Sequence, residues 1–417
     1  MKVLIIAHKN PNPPRGGATL RNFNLMKECS RNHELHLITF TQEPYLRDPE
    51  KMQESIEGLR KYCKHVEVFK IPTNSNRFSW YLLLFLNLFS LQPYSVWWFW
   101  SPKLKRAIQE HLRKHSFDLV EIGTIAHMQY AKLAPDLPKL LIHHNVESEL
   151  LYRRSRTAKG LLARTYLWYQ AYKLRRLEKK AFEVFDYHTV VSMRDKKTLL
   201  EIGPGANIEV VDNGVDTDFF TPSDGPVEPY TIVYVGSLGW YPNAEAMIYF
   251  SREIWPLLKR EIPSIKLNLV GDGPPKELVE FGKKDPAFRL LGLVDDVRPY
   301  ILKSAVYVVP ITVGGGTRLK ILDAMALGKA IVSTSIGCEG INTIDGENIM
   351  IADTPREFVE KIARLFCDEG LRRRLGARAR ETAVEYYSWK KIAPKLERIY
   401  ELLGNMKKTG GKIQSMP

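Results

Sequence analysis

The chain predicts two α/β domains, each built on a parallel β-sheet. Short β-branched runs alternate with helical patterns from the first residues, and the same rhythm restarts after residue 230. Between the two series lies a stretch rich in Pro, Gly, Ser and acidic residues, the usual composition of a surface linker.

In the first series the strand-like runs are Lys2–Ala7, Glu34–Phe40, Val66–Ile71, Leu119–Ile122 and Leu140–His143. The second contains Thr231–Val235, Lys266–Val270, Arg289–Leu291, Ala305–Val309, Ala330–Ser333 and Asn348–Ile351. Thr221–Tyr230 reads as the linker, and the runs Tyr187–Val191 and Glu209–Val211 fit either domain, so the hinge is expected within 192–230. The expected organisation is an N-terminal domain over 1–205 and a C-terminal domain over 206–386. A helix over 387–404 then packs back on the N-terminal domain, and 405–417 forms a flexible tail. Glu149–Phe185 carries apolar residues at helical spacing, with Gly160 as a break. Its other face is basic, holding Arg153, Arg154, Arg156, Lys159, Arg164, Lys173, Arg175, Arg176, Lys179 and Lys180.

A length of 417 residues suits two or three domains, and 44% hydrophobic with 26% charged residues is the balance of a folded globular chain. The net charge of +14 and pI near 9.4 favour anionic partners: phosphorylated substrates, acidic lipid or nucleic acid. Nucleic acid is disfavoured, because the cations gather on one helix and no RNA- or DNA-binding motif accompanies them. The four cysteines form no CxxC pair, which argues against a zinc knuckle or a disulfide framework and fits a reducing cytoplasm. Met1–His8 reads as a strand rather than an export signal. The most apolar stretch, Trp80–Leu91, spans twelve residues, short of the roughly 20 needed to cross a bilayer. Cytoplasmic residence is expected. The basic helix and the aromatic stretch Phe78–Trp100, with Trp80, Trp97, Trp98 and Trp100, add peripheral contact with the anionic inner face of a membrane.

The most informative segment is Pro310–Ala326, PITVGGGTRLKILDAMA: a strand end, three glycines, a threonine, two cations and an amphipathic helix. Gly314, Gly315 and Gly316 let backbone approach a ligand, and a helix N-terminus offers unpaired N–H groups to phosphate oxygens. Arg318 and Lys320 add full charges beside that cradle. A glycine-rich turn with surface cations is the plainer alternative.

The chain resembles the family-4 retaining glycosyltransferases of the GT-B fold, whose two Rossmann-like domains have a cleft between them. The resemblance is carried by PRGGATLRN after the first strand, HHNVES, VVDNGVDTDFFTP, YVGSLGWYPN, LVGDGP, GGGTRLKILDAMALGKAIVST and YYSW, in that order along nearly the whole chain. It implies transfer of a sugar from a nucleotide-diphosphate sugar to a glycan, lipid-linked or small-molecule acceptor, with retention of anomeric configuration, no cofactor and no required metal. A non-catalytic nucleotide-sugar-binding subunit and a GT-B nucleotide-sugar epimerase are the alternatives.

The same resemblance implies the site residues. Arg318 and Lys320 hold the diphosphate; Gly236, Ser237, Gly314, Gly315, Gly316 and Thr317 line the donor; Asp323 accepts hydrogen bonds from the ribose; Gly16 and Gly17 face the phosphates from the N-terminal loop. Two positions depart from the family pattern. Gly315 stands where the first acid of an E-x7-E pair is usual, and Ser237 stands where many members carry Arg, so Arg318 is expected to supply the missing cation. His144, in HHNVES, is expected near the acceptor hydroxyl as a catalytic group, ahead of His143, while Glu147 and Ser148 read as helix-start residues. Asp216-Thr217-Asp218 imitates a DxD metal motif but reads as a turn.

Overall fold

A computed structural model describes residues 1–14, 16–41, 48–71, 77–158, 160–313 and 318–409. They form two compact units, Met1–Asp212 with Ile392–Pro417, and Asn213–Lys391.

The first unit holds β1 (Lys2–Ala7), β2 (Glu34–Thr41), β3 (His65–Lys70), β4 (Leu119–Ile122), β5 (Lys139–Ile142), β6 (Tyr187–Val190) and β7 (Ile208–Val210). Their spatial order is β3-β2-β1-β4-β5-β6-β7 and every pairing is parallel. The two runs that fitted either domain therefore belong here. β6 pairs with β5, and β7 with β6, through His188↔Ile208 to Val190↔Val210. This carries the first unit past the expected boundary at residue 205, to Asp212. β1 and β4 are buried because helices cover both faces, which is why they read as continuous apolar runs. Leu4, Ile6, Ile38, Phe40, Val120, Ile122 and Leu141 pack into one core with Leu174 and Ala181 of the helix Leu161–Ala181.

The second unit holds β8 (Glu228–Val235), β9 (Lys266–Val270), β10 (Phe288–Gly292), β11 (Ser304–Val309), β12 (Ile331–Ser333) and β13 (Met350–Ile351), in the order β10-β9-β8-β11-β12-β13, again all parallel. β8 begins inside the expected linker, because Glu228 pairs with Ser304 of β11 ahead of a register shift. In each unit the strand order reverses at one place, between β1 and β4 and between β8 and β11. At such a point neighbouring connections run to opposite faces and leave a crevice at the strands' carboxyl ends, the usual ligand position in open α/β sheets.

The last helix, Trp389–Thr409, extends beyond the expected end at 404. From Ile392 onward it belongs to the first unit, where the Tyr400 hydroxyl bonds Glu121 Oε2 on β4 and Lys407 Nζ bonds the Phe117 carbonyl. The long basic stretch is two helices, Glu147–Thr157 and Leu161–Ala181, separated at Gly160, whose φ of 89° lies in the left-handed region.

Candidate donor and acceptor sites

In the second unit, β8 ends at Val235 and leads into Gly236 and Ser237, and β11 ends at Val309 ahead of the glycine-rich loop. Gly314, Gly315, Gly316 and Thr317 lie outside the described residues. Arg318 is the N-cap of the helix Leu319–Ala326, so Arg318 and Lys320 both stand at its amino end. The far end of that helix is fixed by Arg380. Its guanidinium donates to the carbonyls of Ala326 (2.8 Å) and Phe220 (2.7 Å), where positive charge meets a helix C-terminus.

Lys320 reaches back across the switch point. Its ammonium donates to Tyr234 Oη at 2.6 Å and Asn243 Oδ1 at 2.8 Å, and it sits 4.1 Å from the Tyr234 ring centroid. The Tyr234 hydroxyl donates to Asn243 Oδ1 (2.9 Å), and Asn243 Nδ2 donates to the Ser237 carbonyl (2.7 Å), which leaves the exposed Ser237 side chain facing out. A Cβ at 236 would stand 2.4 Å from Lys320 Nζ and 3.0 Å from Asn243 Nδ2, so any larger residue must displace the end of that lysine. Both partners of the ammonium are neutral. Burial, then the neighbouring Arg318 charge, pushes the Lys320 pKa well down, and Asp323 opposes them. A desolvated cation beside a second cation is an anion site awaiting its anion.

Asp323 follows Lys320 by three residues, so the two side chains share a helix face. Its half-buried carboxyl accepts no hydrogen bond from the described residues, and burial raises its pKa to about 7 against the opposing effect of Lys320. Tyr234 and Asn243 were absent from the residues expected here. Their signal lies within YVGSLGWYPN, two residues before and seven after the Gly236 that had been singled out.

In the first unit, the ends of β1, β4 and β5 surround a pocket of about 250 Å³ whose lining includes His8, Thr124, His144, Asn145 and Glu147. The two tandem histidines separate clearly. His143 is buried and its Nε2 lies 3.1 Å from His188 Nδ1, so its ring belongs to the core. His144 packs against His8 at a centroid distance of 5.5 Å, and its Nε2 makes no hydrogen bond within the described residues. Burial, then His8, keeps the His144 pKa well below the ordinary imidazole value, so the ring is neutral and can accept a hydrogen bond. His8, the residue just after β1, was not among the expected site residues.

Other expectations resolve differently. Gly16 is the N-cap of the helix Gly17–Cys29, and Thr19 Oγ1 bonds both its N–H (2.9 Å) and its carbonyl (2.8 Å). Gly16 and Gly17 are exposed. Ser148 does not cap its own helix: its N–H and hydroxyl both donate to Glu178, on the helix Leu161–Ala181. Asp216 Oδ1 accepts from the backbone N–H groups of Asp218 and Phe219, and Asp218 pairs with Lys390 at 2.7 Å, so the DxD-like sequence is tied into its own turn and the start of the last helix.

Residues 15–219 match the family model described as "Glycosyltransferase Family 4", and residues 229–368 match "Glycosyl transferases group 1". The chain belongs to glycosyltransferase family 4. Among curated relatives, the phosphatidyl-myo-inositol mannosyltransferase of Mycobacterium tuberculosis is 28% identical over 223 residues, which is 50% of this chain and 57% of that protein. The chain thus spans little more than half the length of the first relatives it matches. The MMP alpha-(1->4)-mannosyltransferase of Mycolicibacterium hassiacum is 27% identical over 69% of this chain and 71% of its own. Among solved structures, the sucrose-phosphate synthase of Thermosynechococcus elongatus superposes with a TM-score of 0.69 at 16% identity, covering 97% of this chain and 99% of that one. HepE of Anabaena, in complex with UDP-glucose, gives 0.67 at 15% identity, over 96% and 100%. The fold is GT-B, with two Rossmann-like domains.

Proposed function

We propose that this chain transfers a glycosyl group from a nucleotide-diphosphate sugar to an acceptor hydroxyl, with retention of anomeric configuration and without a divalent metal. The observation that carries the reading is the Lys320 ammonium, held at the β8/β11 switch point by neutral partners and backed by Arg318 at the amino end of the same helix. In this reading the two cations and the backbone N–H groups stabilise the diphosphate as charge grows on it during departure, which is electrostatic catalysis. Asp323 holds the ribose diol from the same helix face. His144 accepts a hydrogen bond from the acceptor hydroxyl in the first unit and orients it. The proton leaves with the departing diphosphate, so no protein base of high pKa is needed. The test is turnover on a panel of nucleotide sugars with and without EDTA. Transfer that survives chelation supports the reading, and loss restored by manganese or magnesium would overturn its metal-free part.

A second element of the proposal is peripheral contact with an anionic membrane through the first unit. No helix among the described residues is long and apolar enough to cross a bilayer. On the helix Arg77–Asn87 and the turn after it, however, Tyr81, Phe85, Phe89 and Leu91 are exposed, Phe89 by 80%. This patch joins the helix Leu161–Ala181 through Tyr169, whose hydroxyl donates to the Leu88 carbonyl (3.2 Å). That helix exposes Leu161, Leu162 and Trp168 and, along its length, Arg164, Arg175, Arg176, Lys179 and Lys180. Two details differ from the sequence expectation. Lys173 is buried against Asn87 and the Tyr169 ring and adds nothing to the surface; Trp80, Trp97 and Trp98 are partly covered, which leaves Trp100 as the exposed tryptophan of that stretch. Exposed apolar side chains with cations on the same helix suit an interface between headgroups and acyl chains. Sedimentation with phosphatidylglycerol vesicles should recover the protein, and phosphatidylcholine vesicles should not. Equal recovery with both would refute it.

A further inference from the structure

The pocket of the first unit contains an acid that the fold does not use. The helix Glu147–Thr157 starts with Glu147, and its N-terminus is already served from outside: Glu178 Oε1 accepts the Ser148 N–H at 3.1 Å, and Oε2 accepts the Ser148 hydroxyl. Glu178 is fully buried, and burial raises its pKa to about 7 against the opposing effect of those donors. The Glu147 carboxyl makes no hydrogen bond and no ion pair within the described residues, yet Glu147 lines the pocket together with His8, His144 and Asn145. An acid left over from capping, kept half-buried and turned to a cavity, has its partner still to come.

We propose that Glu147 is the residue that selects the acceptor, binding a hydroxyl of a neutral, polyol-like acceptor in this pocket and excluding acceptors that carry a phosphate there. The groups around it agree. Among the described residues that line the pocket there is no lysine or arginine to pair with a phosphate: His8, His143 and His144 are held neutral by burial, and Tyr94, Ser95, Thr124 and Asn145 are uncharged. Tyr94 and Phe99 add flat apolar walls suited to the C–H face of a sugar ring. A volume of about 250 Å³ equals the liquid share of about eight waters, the scale of one ring rather than of a chain.

Glu178 sets the state of Glu147. Burial first, then the Glu178 charge, raises the Glu147 carboxyl to about 7, so near neutrality it is protonated in a large fraction of molecules. In that form it donates to an acceptor oxygen, and in the ionised form it accepts from a hydroxyl; burial raises the Glu178 carboxyl to about 7 as well. This inference rests on the reading of the chain as a glycosyltransferase with its donor on the second unit.

The test uses the full chain, with methyl α-glucoside, methyl α-mannoside and glucose 6-phosphate as probes, saturation-transfer NMR to detect contact and titration to rank affinity. UDP binding is measured in parallel. Wild-type protein should bind at least one methyl glycoside, and glucose 6-phosphate at least tenfold more weakly. Glu147→Ala should lose tenfold or more in glycoside affinity, while Glu147→Gln, which keeps shape and hydrogen bonding, should retain most of it. UDP affinity should be the same in all three proteins, which also certifies that the variants fold. Equal glycoside binding by wild type and Glu147→Ala, or preference for the phosphorylated probe, would overturn the proposal. Loss of UDP binding in wild type would instead count against the donor reading, leaving the two failures distinct.

Discussion

Lys320→Ala is the substitution whose consequences follow most directly from the geometry. The ammonium bonds Tyr234 and Asn243, and those two remain bonded to each other through the 2.9 Å Tyr234 hydroxyl contact when it is gone, so no buried donor is orphaned. The change also removes a charge that burial and Arg318 already disfavour, so folding stability should be unchanged or slightly higher. Binding should suffer instead. A charge-assisted hydrogen bond to the diphosphate contributes about 1.5 to 3 kcal/mol, which is roughly 10- to 100-fold in nucleoside diphosphate affinity. Turnover should fall further than affinity, because the charge that Lys320 neutralises grows as the bond to the diphosphate breaks. Calorimetric titration of UDP, thermal unfolding and single-turnover transfer on the same preparations separate the three effects. Wild-type affinity and wild-type turnover in a folded Lys320→Ala protein would refute this assignment of the site. A variant that binds donor weakly but turns over normally at saturation would refute the claim that the ammonium acts in the transition state.

Four further outcomes follow. Gly236→Ala places a methyl 2.4 Å from Lys320 Nζ and should reproduce most of the Lys320→Ala binding loss with the lysine still present; normal UDP affinity would contradict the packing described. Asp323→Ala should weaken UDP and intact donor to the same degree, since the ribose hydroxyls change little during reaction, and a selective effect on turnover would reassign the residue. His144→Ala should lower the transfer rate by roughly 10²- to 10⁴-fold at unchanged donor affinity, and an unchanged rate would return the ring to a packing role. Glu147, whose folded pKa of about 7 lies above the ordinary carboxylate value, stabilises the fold fully below that ordinary value and loses the contribution as pH rises through 7. Glu147→Gln should therefore raise the unfolding temperature more at pH 8 than at pH 5, and a parallel shift at both would contradict the burial of that carboxyl.

Much of the architecture was legible because buried parallel strands read as short apolar runs whatever their neighbours. β1, β4, β9 and β11 fall within a residue of their expected limits. Sheet membership was less legible. Nothing in YHTV or IEV says which sheet they join, since pairing is a long-range property, and both join the first. The same distinction governs the site. Lys320 and Asp323 could be read from a glycine loop followed by a helix, whereas Tyr234 and Asn243 come together with Lys320 only when β8 lies beside β11. His143 and His144 are equivalent as letters. The fold distinguishes them because β6 places His188 beside the His143 ring, while His144 packs against His8 with its Nε2 unbonded among the described residues. Glu178 is the extreme case: thirty positions separate it from Ser148, and its mate is fixed only by the packing of two helices across Gly160.

The measurement that bears most directly on the central claim is product formation by the purified full chain, supplied with candidate nucleotide sugars and a neutral glycoside acceptor in EDTA, with the anomeric configuration of the product read by NMR. The account predicts a glycoside of the same configuration as the donor, formed without added metal and abolished or strongly slowed in Lys320→Ala. A product of inverted configuration, strict dependence on a divalent ion, or full activity in Lys320→Ala would contradict it.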